Sequence, residues 1–396
     1  AESPVAVSPA EPIPQGYEPG RRDTMLVVPL NAGVDGADVR VAVAELGVGS
    51  LLFLKTVRRL TFVDLDTPGQ VDAYGLTADI PQAAMLPFFH SELEVLTAEL
   101  TVVEPPAEAG ARYRRYWTRR PTPNGQVRAN KATGRITPLG LAVAHIPDGR
   151  GHLYDRVRMP VEVRFPVSLN AQFDPDAARS TVLPVDWNVH RFKDLGELLG
   201  SATLAAFAAA PAGAWSHVPL AAEADGIGGW LGDRLREDVA GRCRARLISD
   251  LRLPDLDGQP RPLAEFVYEA AELGGVLTPQ DQAALTNAAV IGEGLRDVGG
   301  RWRQVLAELD LSRCLGLDEA LGLFDRAERV EGREPAWFVR MAALAGRGKR
   351  FDALLATRSI LLADGRIVQA PLRGEPSVLV RSASVDSLGV RLGLAW

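Results

Sequence analysis

The chain has 396 residues, too many for one ordinary core and enough for two or three domains. A hydrophobic share of 46% and a charged share of 24% fit a soluble globular protein and exclude a fibrous or low-complexity one. Lys and Arg number 44 against 50 Asp and Glu, giving a net charge of −6 and a pI near 5.6, so the chain is not built around a basic nucleic-acid-binding face.

Residues 1–21 are rich in Pro, Glu and Ser and cannot bury enough apolar surface to offset their ordering entropy, so they read as a disordered linker. The segment starts without methionine, which fits either initiator removal or a chain cut from a longer one that carries a domain before it. It has no basic start or apolar core of a signal peptide. Cys243 and Cys314 are too few and too far apart for a disulfide framework, which points to reduced thiols and a cytoplasmic setting. No stretch reaches the ~18 uncharged apolar residues of a spanning helix, so no membrane association is expected.

In chain order, residues 25–30 read as a short buried strand with a turn at Asn31, Ala32 and Gly33. Residues 38–57 carry Val39, Val43, Leu46, Leu51, Leu52 and Leu54 at helical spacing. Strands are predicted at 58–65, 93–103, 111–120, 136–146 and 161–173. After Asp186 the period changes, and helices are predicted at 187–209, 229–247, 263–273, 279–288, 295–309 and 317–330. A terminal hairpin follows, with strands at 359–362 and 366–368 around Asp364 and Gly365. The fold class is therefore α+β, with a β-rich region over 22–185 and a mainly helical region over 186–396.

Three segments, in order, resemble the ninety-kilodalton heat-shock chaperones and sacsin-type proteins of the GHKL ATPase superfamily. Residues 24–30 resemble the last strand of an ATP-binding domain. Residues 51–62, LLFLKTVRRLTF, resemble the helix-to-strand passage that opens the next region of bacterial sacsin-like proteins. The run from Asn170 to Arg179, followed by Asp186, Trp187 and Asn188, resembles their phosphate-contacting loop and the helix after it. The resemblance implies a β-α-β layer in the β-rich half. It also implies that Arg179, with Asn170 nearby, contacts the terminal phosphate of ATP and Mg held by an upstream domain. On that reading the chain is not an enzyme by itself and needs no cofactor of its own. It couples ATP in the upstream domain to the binding of protein clients or partners.

Each residue also has a plainer reading. Arg179 is as readily an ion-pair partner of Asp174 or Asp176, and Asn170 a strand-end turn residue. Asp225-Gly226-Ile227-Gly228-Gly229 and Asp297-Val298-Gly299-Gly300-Arg301 approach the D-x-G-x-G adenine turn, but each lacks one required glycine and reads as a loop between helices. The run from Arg112 to Arg120 interleaves arginine with aromatic rings. Tyr113, Arg115, Tyr116 and Trp117 suit a protein-partner surface better than a nucleic acid, given the acidic balance. His145, His152 and Asp155 have a loose metal-like spacing with no further ligand nearby. The remaining alternatives are a stand-alone interaction scaffold and, less favoured, a nucleic-acid-associated factor.

Overall fold

The computed structural model describes residues 36–54, 57–63, 71–120, 139–146, 150–155, 157–310 and 313–350, together with the backbone of 360–361 and 367–368. The readings made for residues 1–21 and for the strand at 25–30 lie outside the described residues. The β-rich part opens with helix α1 (Gly36–Leu46) and a 3₁₀ turn at Val48–Leu51. Nine strands follow: β1 (Arg59–Val63), β2 (Val71–Ala78), β3 (Gln82–Phe88), β4 (Ser91–Glu104), β5 (Arg112–Arg120), β6 (Leu139–His145), β7 (His152–Asp155), β8 (Val157–Glu162) and β9 (Val167–Asn170). They form one sheet in the order β1-β2-β4-β5-β6-β9-β7-β8, with β3 pairing β4.

Strand β4 organises the sheet because it is long enough to take two neighbours along one side. Its first half pairs β3, from Phe88 opposite Ser91 to Gln82 opposite Thr97, and its second half pairs β2, from Ala78 opposite Leu100 to Gly75 opposite Glu104. Residues 79–81 step from one strand to the other, and a single bond from the Asp79 N–H to the Glu99 carbonyl spans the gap. A core cluster lies on one face of the sheet. Leu76, Leu100, Val102, Ala142 and Ala144 pack there with Val43, Val48, Leu51, Leu52 and Phe53 from the opening segment. Tyr154 joins this core edge-on to Phe53 at 4.7 Å, and its hydroxyl donates to the Gly49 carbonyl at 2.9 Å.

The remaining helices are α2 (Asp186–Ala209), α3 (Pro211–Ala214), α4 (Gly229–Arg234), α5 (Gly241–Asp250), α6 (Pro279–Thr286), α7 (Arg301–Leu309), α8 (Leu317–Leu321), α9 (Ala327–Val330) and α10 (Pro335–Arg347). A π-helical turn at Leu235–Ala240 bridges α4 and α5, so the predicted helix over 229–247 is one helical path with a widened turn inside it. Short strands β10 (Arg252–Pro254) and β11 (Pro260–Pro262) pair antiparallel. Strand β12 (Phe266–Glu269) lies parallel between β13 (Ala289–Val290) and β14 (Arg313–Leu315). The terminal strands β15 (Ile360–Leu361) and β16 (Ile367–Val368) pair antiparallel as the sequence predicts.

The α+β class with a β-rich first half stands, and three finer expectations change. The β-α-β layer is displaced. In the large sheet the single parallel pair among the described residues, β7 with β9, is joined through strand β8. A β-α-β connection is found instead in the second half, where β12 passes through α6 to the parallel β13. The helix predicted at 263–273 is replaced by β12 flanked by 3₁₀ turns. All four residues of β12 are buried between two parallel neighbours, so the alternation that marks a half-exposed strand is missing.

The boundary at 185/186 moves as well. The described residues divide into one compact unit, those up to 202 with 221–243, and a second, 203–220 with those from 244 onward. The first part of α2 belongs with the sheet because its residues are tied to it: Trp187 Nε1 donates to the Gln172 carbonyl at 2.6 Å, Phe192 packs on Phe173 at 5.0 Å, and Ser201 Oγ donates to the Pro87 carbonyl. The second unit has its own core, in which Val267, Val276, Leu315, Phe324, Trp337 and Met341 are buried together.

Candidate functional site

The loop after β9 is a closed, internally bonded hairpin. Pro175 pairs with Val182 in an antiparallel bridge, the Asp176 N–H donates to the Thr181 carbonyl at 3.0 Å, and the Leu183 N–H donates to the Asp174 carbonyl at 2.9 Å. The Asp176 carboxylate organises the tip. Its Oδ1 accepts from the Ser180 N–H at 2.6 Å and the Thr181 N–H at 3.2 Å, and its Oδ2 from Ser180 Oγ at 2.6 Å. These bonds, that from the Ser180 hydroxyl first, lower the pKa of Asp176 below its ordinary value.

Asn188, fully buried in the first turn of α2, clamps the two ends of this hairpin. Its Oδ1 accepts from the Asp174 N–H, and its Nδ2 donates to the Asp174 and Leu183 carbonyls, all at 2.8 Å. Arg191 stacks over Trp187 at 4.4 Å and pairs with Asp194 at 3.0 Å beneath the same turn. The Asp-Trp-Asn run of the sequence is thus the base on which the loop stands.

Arg179 sits at the tip with φ of 56°, in the left-handed region where a side chain other than Asn or Asp is uncommon. Its N–H donates to the Asp176 carbonyl at 3.0 Å, which closes the turn. The partner of its guanidinium is neither Asp174 nor Asp176. Nη2 donates to the carbonyl of Asp155 at 2.8 Å and to its Oδ2 at 2.9 Å, while Nε and Nη1 have no partner among the described residues. The side chain is 48% exposed. Asn170 ends β9 in the same corner: it pairs with Tyr154 of β7, the residue before Asp155, and the Ala171 N–H donates to the Tyr154 carbonyl at 3.2 Å. The two residues singled out by sequence are therefore brought together at the ends of β7 and β9. The sequence reading missed Asn188 as the clamp and Asp155 as the tether. Their separation along the chain left only the Asn188 position in the motif as a signal.

The aromatic-basic strand is a different matter. β5 is an interior strand between β4 and β6, so both of its edges are paired. Tyr116 is 4% and Arg115 6% exposed, which corrects the expectation that they face a partner. Tyr113 and Trp117 are half-buried against the core. Arg112 and Arg114 on the other face pair with Glu99 at 3.1 and 3.6 Å.

Both D-x-G-like turns act as helix starts. Gly228 is the N-cap of α4. Gly300 is the N-cap of α7, and the Asp297 carboxylate just before it accepts from the Trp302 N–H at 2.8 Å and the Arg301 N–H at 3.0 Å. His152 is held by Arg158, whose Nη2 donates to its Nε2 at 2.7 Å; burial first, and the Arg158 charge second, lower its pKa to about 4. Among the described residues no group of three His, Cys, Asp or Glu side chains is placed to hold a metal ion, and no helix is long and apolar enough to cross a membrane. Comparison of the chain with family models, with curated proteins and with solved structures gives no match.

Proposed function

We propose that this chain is the coupling segment of a chaperone-like ATPase of the heat-shock and sacsin type. In this reading an upstream domain holds ATP and Mg, Arg179 reaches its terminal phosphate, and nucleotide state is relayed to the binding of protein clients or partners. The observation that carries the reading is Arg179 itself. A residue in a backbone region that disfavours it is fixed by Asp176 and Asn188 so that a half-exposed guanidinium rests on the end of β7 through Nη2 alone, with Nε and Nη1 without a partner among the described residues. Backbone strain kept at a built loop is a mark of functional positions. A planar guanidinium is suited to charge that develops on a transferring phosphoryl group, and Asp155 would be exchanged for phosphate on docking.

The test is steady-state ATP hydrolysis by the full-length polypeptide that carries this segment. Arg179→Ala is expected to lower turnover by up to about 10³-fold, the lower end of what arginine fingers contribute, with ATP affinity nearly unchanged. Arg179→Lys is expected to restore little, since a point charge on a flexible stem does not copy the planar fork. Unchanged turnover in Arg179→Ala would remove the support for nucleotide coupling and leave the residue as a structural tether of Asp155.

A further inference from the structure

The step between β2 and β3 leaves a gap along one side of β4, and a cleft of about 570 Å³ opens there. Its size lies in the range of small-molecule sites, roughly 300–1,000 Å³. The register puts its walls on the core face of the sheet: Arg115 lies opposite Ala98, and the Arg58 carbonyl accepts from the Leu76 N–H at 2.9 Å. Two guanidinium groups therefore line one cleft at the margin of a hydrophobic core, with Asp79 the one carboxylate in its lining.

Among the described residues each arginine is anchored at one nitrogen only. Arg58 Nη1 donates to the Leu54 carbonyl at 2.8 Å and Arg115 Nη1 to the Leu52 carbonyl at 2.7 Å, which fixes both side chains in place. Arg115 is further held over the Trp117 ring at 4.4 Å. Its Nε is sealed and without a partner, and among the described residues neither arginine makes an ion pair. Burial, with the Arg58 charge beside it, brings the pKa of Arg115 down to about 10. Like charges kept close in a partly dry wall are unfavourable to the folded chain unless something supplies negative charge.

We propose that this cleft binds a small monocarboxylate with an apolar body. Two cations against Asp79 leave one positive charge to be matched, which favours a monoanion over a phosphate dianion. The rest of the lining is mostly apolar, with Leu76, Ala78, Ala98 and Ile80 placed to cover a short hydrocarbon chain. Arg58 and Arg115 form the carboxylate end, and the 79–81 step forms the lip. The inference is independent of the role of Arg179.

Hexanoate titrated into the full chain tests this, with hexanol and inorganic phosphate as the matched probes. Hexanoate is expected to bind saturably and to shift the methyl resonances of Ala78, Ile80 and Ala98, with hexanol and phosphate at least about tenfold weaker. Arg58→Gln is expected to weaken hexanoate about ten- to hundredfold, the effect of losing one charge-assisted contact. Arg115→Gln is expected to do the same; should it fail to fold, Arg58→Gln, at a half-buried position, carries the test alone. Absence of saturable hexanoate binding overturns the proposal. So does hexanol or phosphate binding equal to hexanoate, an unchanged affinity in Arg58→Gln, or shifts confined to methyls away from the cleft.

Discussion

Replacing Arg179 by glycine separates what the backbone needs from what the guanidinium does. A left-handed conformation costs a non-glycine residue roughly 1–2 kcal/mol, and glycine removes most of that. Two losses oppose the gain. The Asp155 pair, at 48% exposure of the arginine side chain, is worth about 0–1 kcal/mol. The added freedom of the unfolded glycine chain is worth about 0.4–1 kcal/mol. The sides nearly cancel, so Arg179→Gly should change stability by no more than about 1 kcal/mol, roughly 2–4 °C in Tm for a unit of this size. Arg179→Ala keeps the strain and loses the pair, so it should be no more stable than Arg179→Gly. Thermal unfolding of both variants, followed by circular dichroism beside ATP turnover of the full-length polypeptide, gives the comparison. The expected pattern is Tm order glycine at or above alanine, with turnover reduced in both. A glycine variant melting well below the alanine variant would show that φ at this position carries no strain, and the inference from strain to function would fail with it.

Two other outcomes follow from the same geometry. Asn188→Ala removes three bonds from a buried amide and takes away the acceptor of the Asp174 N–H, while the Asp174 and Leu183 carbonyls keep their bonds to the Leu183 and Val185 N–H groups. A loss of about 2–3 kcal/mol in denaturant unfolding is expected, together with faster proteolysis between Asp174 and Leu183; a change under about 0.5 kcal/mol would mean that the clamp is dispensable. His152 has a folded pKa of about 4 against an ordinary 6.5, held down by burial and Arg158 against the opposing charge of Glu162. The unfolded state therefore binds more protons between those values, and stability is lost as pH falls from about 6.5 through about 4. His152→Gln should flatten that part of the Tm profile relative to the parent, and identical profiles would disprove the assignment.

The corner that holds Arg179 was partly legible in the sequence, because a strand end, a polar loop and a helix start are all local signals. What Arg179 touches was not legible: Asp155 lies on β7, a four-residue strand with no alternation to announce it. Strand β3 was missed because Gln82, Ala83, Ala84, Met85 and Leu86 are helix-favouring residues, which become a strand only through the tight turn at Phe88–Ser91 and pairing to β4. Arg115 and Tyr116 misled for the opposite reason. Arginine beside aromatic residues reads as surface, yet in an interior strand the Arg115 guanidinium lies over Trp117 and donates to a backbone carbonyl.

The parallel arrangement of β12 bears on how this chain is made. Phe266–Glu269 leaves the ribosome before either neighbour, and β14 cannot pair with it until residues 270–312 have been synthesised. At about 5–20 residues per second that interval lasts several seconds. During it, four residues destined for complete burial wait with at least one row of backbone groups open to other chains. A ribosome stalled before Arg313 would therefore hold a nascent segment prone to self-association, and slower translation across 270–312 would lengthen that exposure.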